Sequence, residues 1–232
     1  MRFRKIMRAL SAITTLSVTS NYILPPVNAN CGEKQSIPSY YVAGKGSILI
    51  DCIKGQYRTE YKRLRDFIGV KDTTMPRFRY GTLPGIYLGE YNIDDNIMTF
   101  DTGKVISSFR GADVCDDILS HELAHALMNR KSLEIGNGRF AKVSTSDRRR
   151  FTFDDYGIQF VSEGLASYIG DGNRNKNKDR EWPATREEFY CSDPYLLGNY
   201  LVTLPMDEFG AAAVPVILKN LPKGAEILHP EE

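Results

Sequence analysis

Three residues in one short stretch can do chemistry together in this 232-residue chain. They are His121, Glu122 and His125, within His121-Glu122-Leu123-Ala124-His125. On a helix, positions four apart lie on one face, so both imidazoles can reach a single ion. Zinc takes neutral imidazole nitrogens, and a catalytic zinc site uses three protein ligands and keeps one position open. Glu122 stands three residues before His125, on the same face. There its carboxylate can take a proton from an attacking water and hand it to a leaving amine. The chain has only three histidines, His121, His125 and His229, so two of them at this spacing around a glutamate make an informative pattern.

A third ligand must come from another element. His229 lies in the C-terminal His229-Pro230-Glu231-Glu232, and no histidine follows His125 at the spacing of an extended H-E-x-x-H-x-x-G-x-x-H pattern. A carboxylate is then required. Glu163 is the candidate, 38 residues after His125, as the lone acidic residue of Val161-Ser162-Glu163-Gly164-Leu165-Ala166-Ser167-Tyr168. A donor to a tetrahedral oxyanion is also expected. Tyr195 and Tyr200 are the leading candidates for that role, with His229 behind them.

The pair of blocks His121-Glu122-Leu123-Ala124-His125 and Ser162-Glu163-Gly164-Leu165-Ala166-Ser167-Tyr168 resembles the gluzincin metallopeptidases, in particular their small peptidase MA-like domains. Tyr195 to Val202 and Glu208-Phe209-Gly210 add a weaker likeness, and the resemblance spans roughly residues 97–221. It implies a zincin-like fold and peptide-bond hydrolysis of a peptide or protein substrate. It also implies Zn2+ as cofactor, with His121, His125 and Glu163 as ligands and Glu122 as general base. In zincins the strand before the metal helix usually edges the cleft, which would make residues 97–101 the strand that pairs with substrate. Two features depart from the pattern. Residues 132–155 lengthen the gap between the blocks and would form an insertion over the cleft. Ser167 stands where some gluzincins place an aspartate, four residues after the ligand glutamate, to orient a metal-bound histidine.

The elements that must position these residues can be read from periodicity. The best helix covers 113–131: Asp113 can cap it, Asp116 and Asp117 suit its first turn, and Arg130 and Lys131 suit its last. Ile118, Leu119, Leu123, Ala126 and Leu127 would form its buried side. A second helix over about 158–169 would carry Glu163, and two more are expected over 193–204 and 211–221. Upstream, Ile48-Leu49-Ile50 suggests a strand over 46–53, and Tyr61, Leu64, Phe67 and Ile68 suggest an amphipathic helix over 58–70. Strands are expected over 77–81, 85–93 and 97–101, with Asp94-Asp95-Asn96 as a hairpin turn. The fold class is therefore α+β: a small, mostly antiparallel N-terminal sheet with a helix, packed on a helical C-terminal half that carries the metal helix.

Residues 1–29 have the pattern of a secretory signal: Arg2, Arg4, Lys5 and Arg8, an apolar stretch over 9–18, and Val27-Asn28-Ala29 at the cleavage position. The apolar stretch is too short to span a bilayer, which needs about 20 residues. Residues 30–232 would then form one domain, secreted or periplasmic, without stable membrane insertion. Removing the four basic residues of the leader takes the charge from +1 to −3, with 26 basic against 29 acidic residues. That balance disfavours nucleic acid as a partner, and Arg148-Arg149-Arg150 reads as a solvated loop run. Cys31, Cys52, Cys115 and Cys191 all follow the leader, and the expected pairs are Cys31–Cys52 and Cys115–Cys191. The alternative to an enzyme is a secreted, non-catalytic binding module that keeps zinc or disulfides for stability.

Overall fold

The computed structural model describes residues 46–83, 89–101, 113–140, 152–170 and 194–221, together with 185, 188 and 189. Helix α1 spans Gly46–Ile68. The strand expected over 46–53 is thus the first two turns of this helix. Ile53, Tyr57, Tyr61, Leu64 and Ile68 recur every three or four residues and are all buried, so one helical stripe runs through the supposed strand. A short apolar run such as Ile48-Leu49-Ile50 does not by itself separate strand from helix. Phe67, expected on the buried stripe, is exposed.

Three short strands follow: β1 (Arg77–Tyr80), β2 (Gly89–Asn92) and β3 (Ile97–Phe100). Their order in the sheet is β1-β3-β2, with β1 parallel to β3 and β2 antiparallel to it. The sheet is therefore mixed, and the mostly antiparallel arrangement expected from sequence does not hold. The Asp94-Asp95-Asn96 turn does form: Asn92 pairs with Ile97 across it, and Asn96 takes a positive φ of 50°, which asparagine tolerates. Met98, Phe100 and Tyr91 point into the core, while Arg77, Arg79 and Glu90 lie on the other face.

Helix α2 (Asp113–Glu134) runs through the middle of the molecule. Leu119, Leu123, Ala126 and Leu127 are fully buried as expected, but so are Ala124 and Met128, and Asn129, Arg130 and Ser132 are buried too. The side chains of Asp113, Asp116 and Asp117 lie outside the described residues. Arg130 is not a surface charge facing a helix end. Its guanidinium donates to the Thr74 carbonyl, to Asn96 Oδ1 at 2.9 Å and to the Tyr61 hydroxyl at 3.3 Å. Those acceptors offset the cost of burying the cation. They also tie α2 to the segment before β1 and to the hairpin turn.

Helix α3 (Phe153–Gly170) begins five residues before the expected start. Thr152 and Asp155 form a reciprocal cap: the Thr152 N–H donates to Asp155 Oδ2 at 2.9 Å, and the Asp155 N–H donates to Thr152 Oγ1 at 3.3 Å. Helix α4 (Pro194–Phe209) continues past the expected end at Leu204, through Pro205, into a 3-10 turn at Gly210–Ala212 and then α5 (Ala213–Lys219). Helices α3 and α4 approach to backbone contact at Gly164 and Gly198. A Cβ on Gly198 would overlap the Phe160 carbonyl, and one on Gly164 would overlap the Gly198 carbonyl. One apolar core joins α1, the sheet, α2, α3, α4 and α5. By length and composition alone the run Leu197–Lys219 is apolar enough to cross a membrane; 33% of its most apolar 18-residue window is buried against the rest of the chain. The class is α+β, as expected.

Candidate metal centre

Helices α2 and α3 cross so closely that side-chain bulk is excluded at one point. A Cβ on Gly170 would come within 2.8 Å of the His121 backbone nitrogen. Seven residues earlier on α3, Glu163 faces the same turn of α2. The crossing thus brings His121, His125 and Glu163 together although 38 residues separate the last two. His121 Nε2 lies 3.2 Å from Glu163 Oε2, His125 Nε2 lies 3.3 Å from the same oxygen, and the two Nε2 atoms are 3.1 Å apart. Among the described residues these three form the group of histidine and acidic side chains able to hold a metal ion.

The donor set and its dimensions fit zinc. Ligand atoms about 2.0–2.1 Å from a tetrahedral ion lie roughly 3.3 Å from one another, close to the three separations here. Two imidazoles with one carboxylate suit zinc and its neighbours better than magnesium or calcium, which prefer oxygen. Two imidazole nitrogens and a carboxylate oxygen at such distances must share either a proton or a cation, since their lone pairs alone would repel. Glu163 is buried, which raises the cost of its charge. The adjoining His125 and His121 outweigh that burial and hold its carboxyl well below the usual carboxylate range.

Glu122 is buried, with its carboxylate against β2. A Cβ on Gly89 would stand 2.5 Å from Glu122 Oε1, so β2 passes directly over the expected general base. This changes the assignment of the cleft edge. Residues 97–101 were expected to pair with substrate, but β3 is the central strand with both sides occupied. In the described sheet, β1 and β2 are the edges, and β2 is the one in contact with Glu122.

The tyrosine candidates divide. The Tyr195 ring lies 5.6 Å from the His121 ring, centroid to centroid, at an interplanar angle of 43°. Tyr200 is exposed on the same helix, five residues on and so roughly 140° further around its axis. His229, Arg148-Arg149-Arg150, the middle of the expected insertion and the leader lie outside the described residues. So does one member of each expected cysteine pair, Cys31 and Cys191; Cys52 itself is disulfide-bonded.

Sequence reasoning missed two neighbours of the metal group. Ser162 Oγ lies 3.1 Å from His125 Nδ1, whereas Ser167, at the position where some gluzincins place an aspartate, is buried with a hydroxyl that has no hydrogen-bond partner among the described residues. Gly89 is the other. Ser162 could have been singled out because it adjoins Glu163; Gly89 carries no local signal, since its role depends on how α2 and β2 meet. The chain matches no family model, no curated protein and no solved structure.

Proposed function

We propose that the chain is an exported zinc-dependent peptidase with a zincin-like fold. The observation that carries this reading is the convergence of His121, His125 and Glu163 within 3.1–3.3 Å, with Glu122 one residue along the same helix. His121, His125 and Glu163 would hold the ion. Bound zinc would supply Lewis acidity, polarising a carbonyl and favouring deprotonation of water. Glu122 accepts the proton of the attacking water on its carboxylate, then delivers it to the amine released when the peptide C–N bond breaks. Gly89 lets the edge strand β2 approach that carboxylate, so a peptide laid along β2 would run past the base. Tyr195 is the better placed of the two tyrosines to donate a hydrogen bond to the tetrahedral oxyanion. The basic, then apolar, leader over 1–29 supports export to the periplasm or the medium.

The test uses the mature chain from residue 30 on a library of unfolded peptides, with and without a chelator. Chelator-sensitive cleavage is expected, and Glu122→Gln should lower turnover by about 10²–10⁴-fold while zinc content stays at one per chain. Turnover unchanged in Glu122→Gln would overturn the assigned base. A zinc-loaded wild type inert on every peptide would instead favour a non-catalytic binding module.

A further inference from the structure

We infer that Ser162 is the positioning residue for His125, holding its ring in the metal-binding tautomer through a neutral hydroxyl rather than a carboxylate. The inference rests on the proposed metal site and adds a partner to it. His125 Nε2 is turned to His121 Nε2 at 3.1 Å and to Glu163 Oε2 at 3.3 Å. An Nε2 that offers its lone pair to an ion leaves the ring proton on Nδ1. Nδ1 lies 3.1 Å from Ser162 Oγ, so the N–H donates to that oxygen. Ser162 is only 4% exposed, so little water competes for the bond.

The arrangement is economical in sequence. Ser162 directly precedes Glu163, so one turn of α3 delivers both a ligand to the metal and an orienting group to a second ligand. Ser167 supplies an internal contrast: it is 1% exposed, and its hydroxyl makes no hydrogen bond among the described residues. A buried serine on this helix therefore does not acquire a histidine partner merely by being there. The choice of hydroxyl has a chemical consequence. A carboxylate would add a second negative charge beside Glu163 and make the imidazole more basic, whereas a hydroxyl fixes orientation without either effect.

Zinc affinity of the full mature chain, measured by competition with a chromophoric chelator at neutral pH, tests this without reference to catalysis. Ser162→Ala should weaken zinc binding by about 10–100-fold. Ser162→Thr, which keeps the hydroxyl, should stay within about threefold of wild type, and so should Ser167→Ala, on the same reasoning about orienting partners. Side-chain ¹⁵N spectra of the zinc-loaded wild type should show His125 protonated at Nδ1. Equal zinc affinity in wild type and Ser162→Ala would overturn the inference while leaving the metal site standing; a His125 protonated at Nε2 would overturn both, since that nitrogen could then not hold the ion. Should Ser162→Ala fail to fold, Ser162→Val against Ser162→Thr, alike in shape but not in the hydroxyl, decides in its place: weaker zinc binding in the valine variant alone supports the inference, and equal affinity overturns it. A wild type that binds no zinc would remove the site itself, and the inference with it.

Discussion

Tyr195 and Tyr200 have the same chemistry and compete for the same role, and their separation on α4 allows only one to face the metal group. Tyr195 is the one whose ring approaches His121. Tyr195→Phe should lower kcat by about 10²-fold with little change in KM, as loss of an oxyanion donor does; Tyr200→Phe should leave both within about twofold. Steady-state kinetics on one cleaved peptide separate these outcomes, and a reversal of the two effects would move the donor to Tyr200. At this scale the sequence was readable where spacing carries the chemistry. His121 and His125 lie one helical turn apart, and Glu163 followed from the shortage of histidine. Ser162 was not readable, because a serine beside a glutamate has no periodic signature. Its partner was chosen by the crossing of two helices.

At the scale of elements, α3 and α4 depend on the contact between Gly164 and Gly198. Neither backbone can yield to a methyl group, since the atoms in the way are main chain of the opposing helix. Gly198→Ala should cost about 3 kcal/mol or more in urea unfolding, the range of severe overpacking. It should also loosen zinc, because Glu163 adjoins the contact. The same helices are clasped further along, where the Tyr168 hydroxyl donates to Asp207 Oδ1 at 2.6 Å. Burial, then the Asp207 carboxylate, push the Tyr168 phenol up to about 12, against about 10 for an unfolded tyrosine. A raised folded value favours the neutral phenol in the native state. The clasp therefore contributes in full below about pH 10 and is lost as pH rises towards 12. The stability advantage of wild type over Tyr168→Phe, followed by urea unfolding at increasing pH, should shrink across that window; a constant difference would refute the linkage. Element type was readable where long periodicity existed, as in α2. It failed at residues 46–53, where a three-residue apolar run hid the start of a stripe continued by Ile53 and Tyr57. The start of α3 was present as Thr152 and Asp155, a capping pair that reads plainly once the helix is known.

For the whole molecule, the α+β class could be read from the alternation of patterns, but the parallel pairing of β1 with β3 could not. Register between strands some twenty residues apart is set by the core they cover, not by either strand alone. The proposed metal group matters at this scale because the residues that would hold the ion come from two helices that share one core. Zinc bound only by the folded chain would add about 4 kcal/mol of stability when free zinc stands 1,000-fold above the Kd. Chelation should thus lower the melting temperature of wild type by several degrees, and should leave His125→Ala unmoved in the same scan. Identical shifts in both proteins would mean that the chelator acts elsewhere.

The position of β2 at the rim of the described sheet bears on what the proposed enzyme would digest. A partner strand attaches there through main-chain hydrogen bonds, so it must arrive extended, over about 13 Å for four residues. A target segment locked in a helix, or already paired within its own sheet, cannot present itself in that form. Native globular proteins would then be cut only where they fray, and the rate would follow how often a segment opens. Against such targets the proposed enzyme would act on segments that have lost their shape and spare those that have kept it.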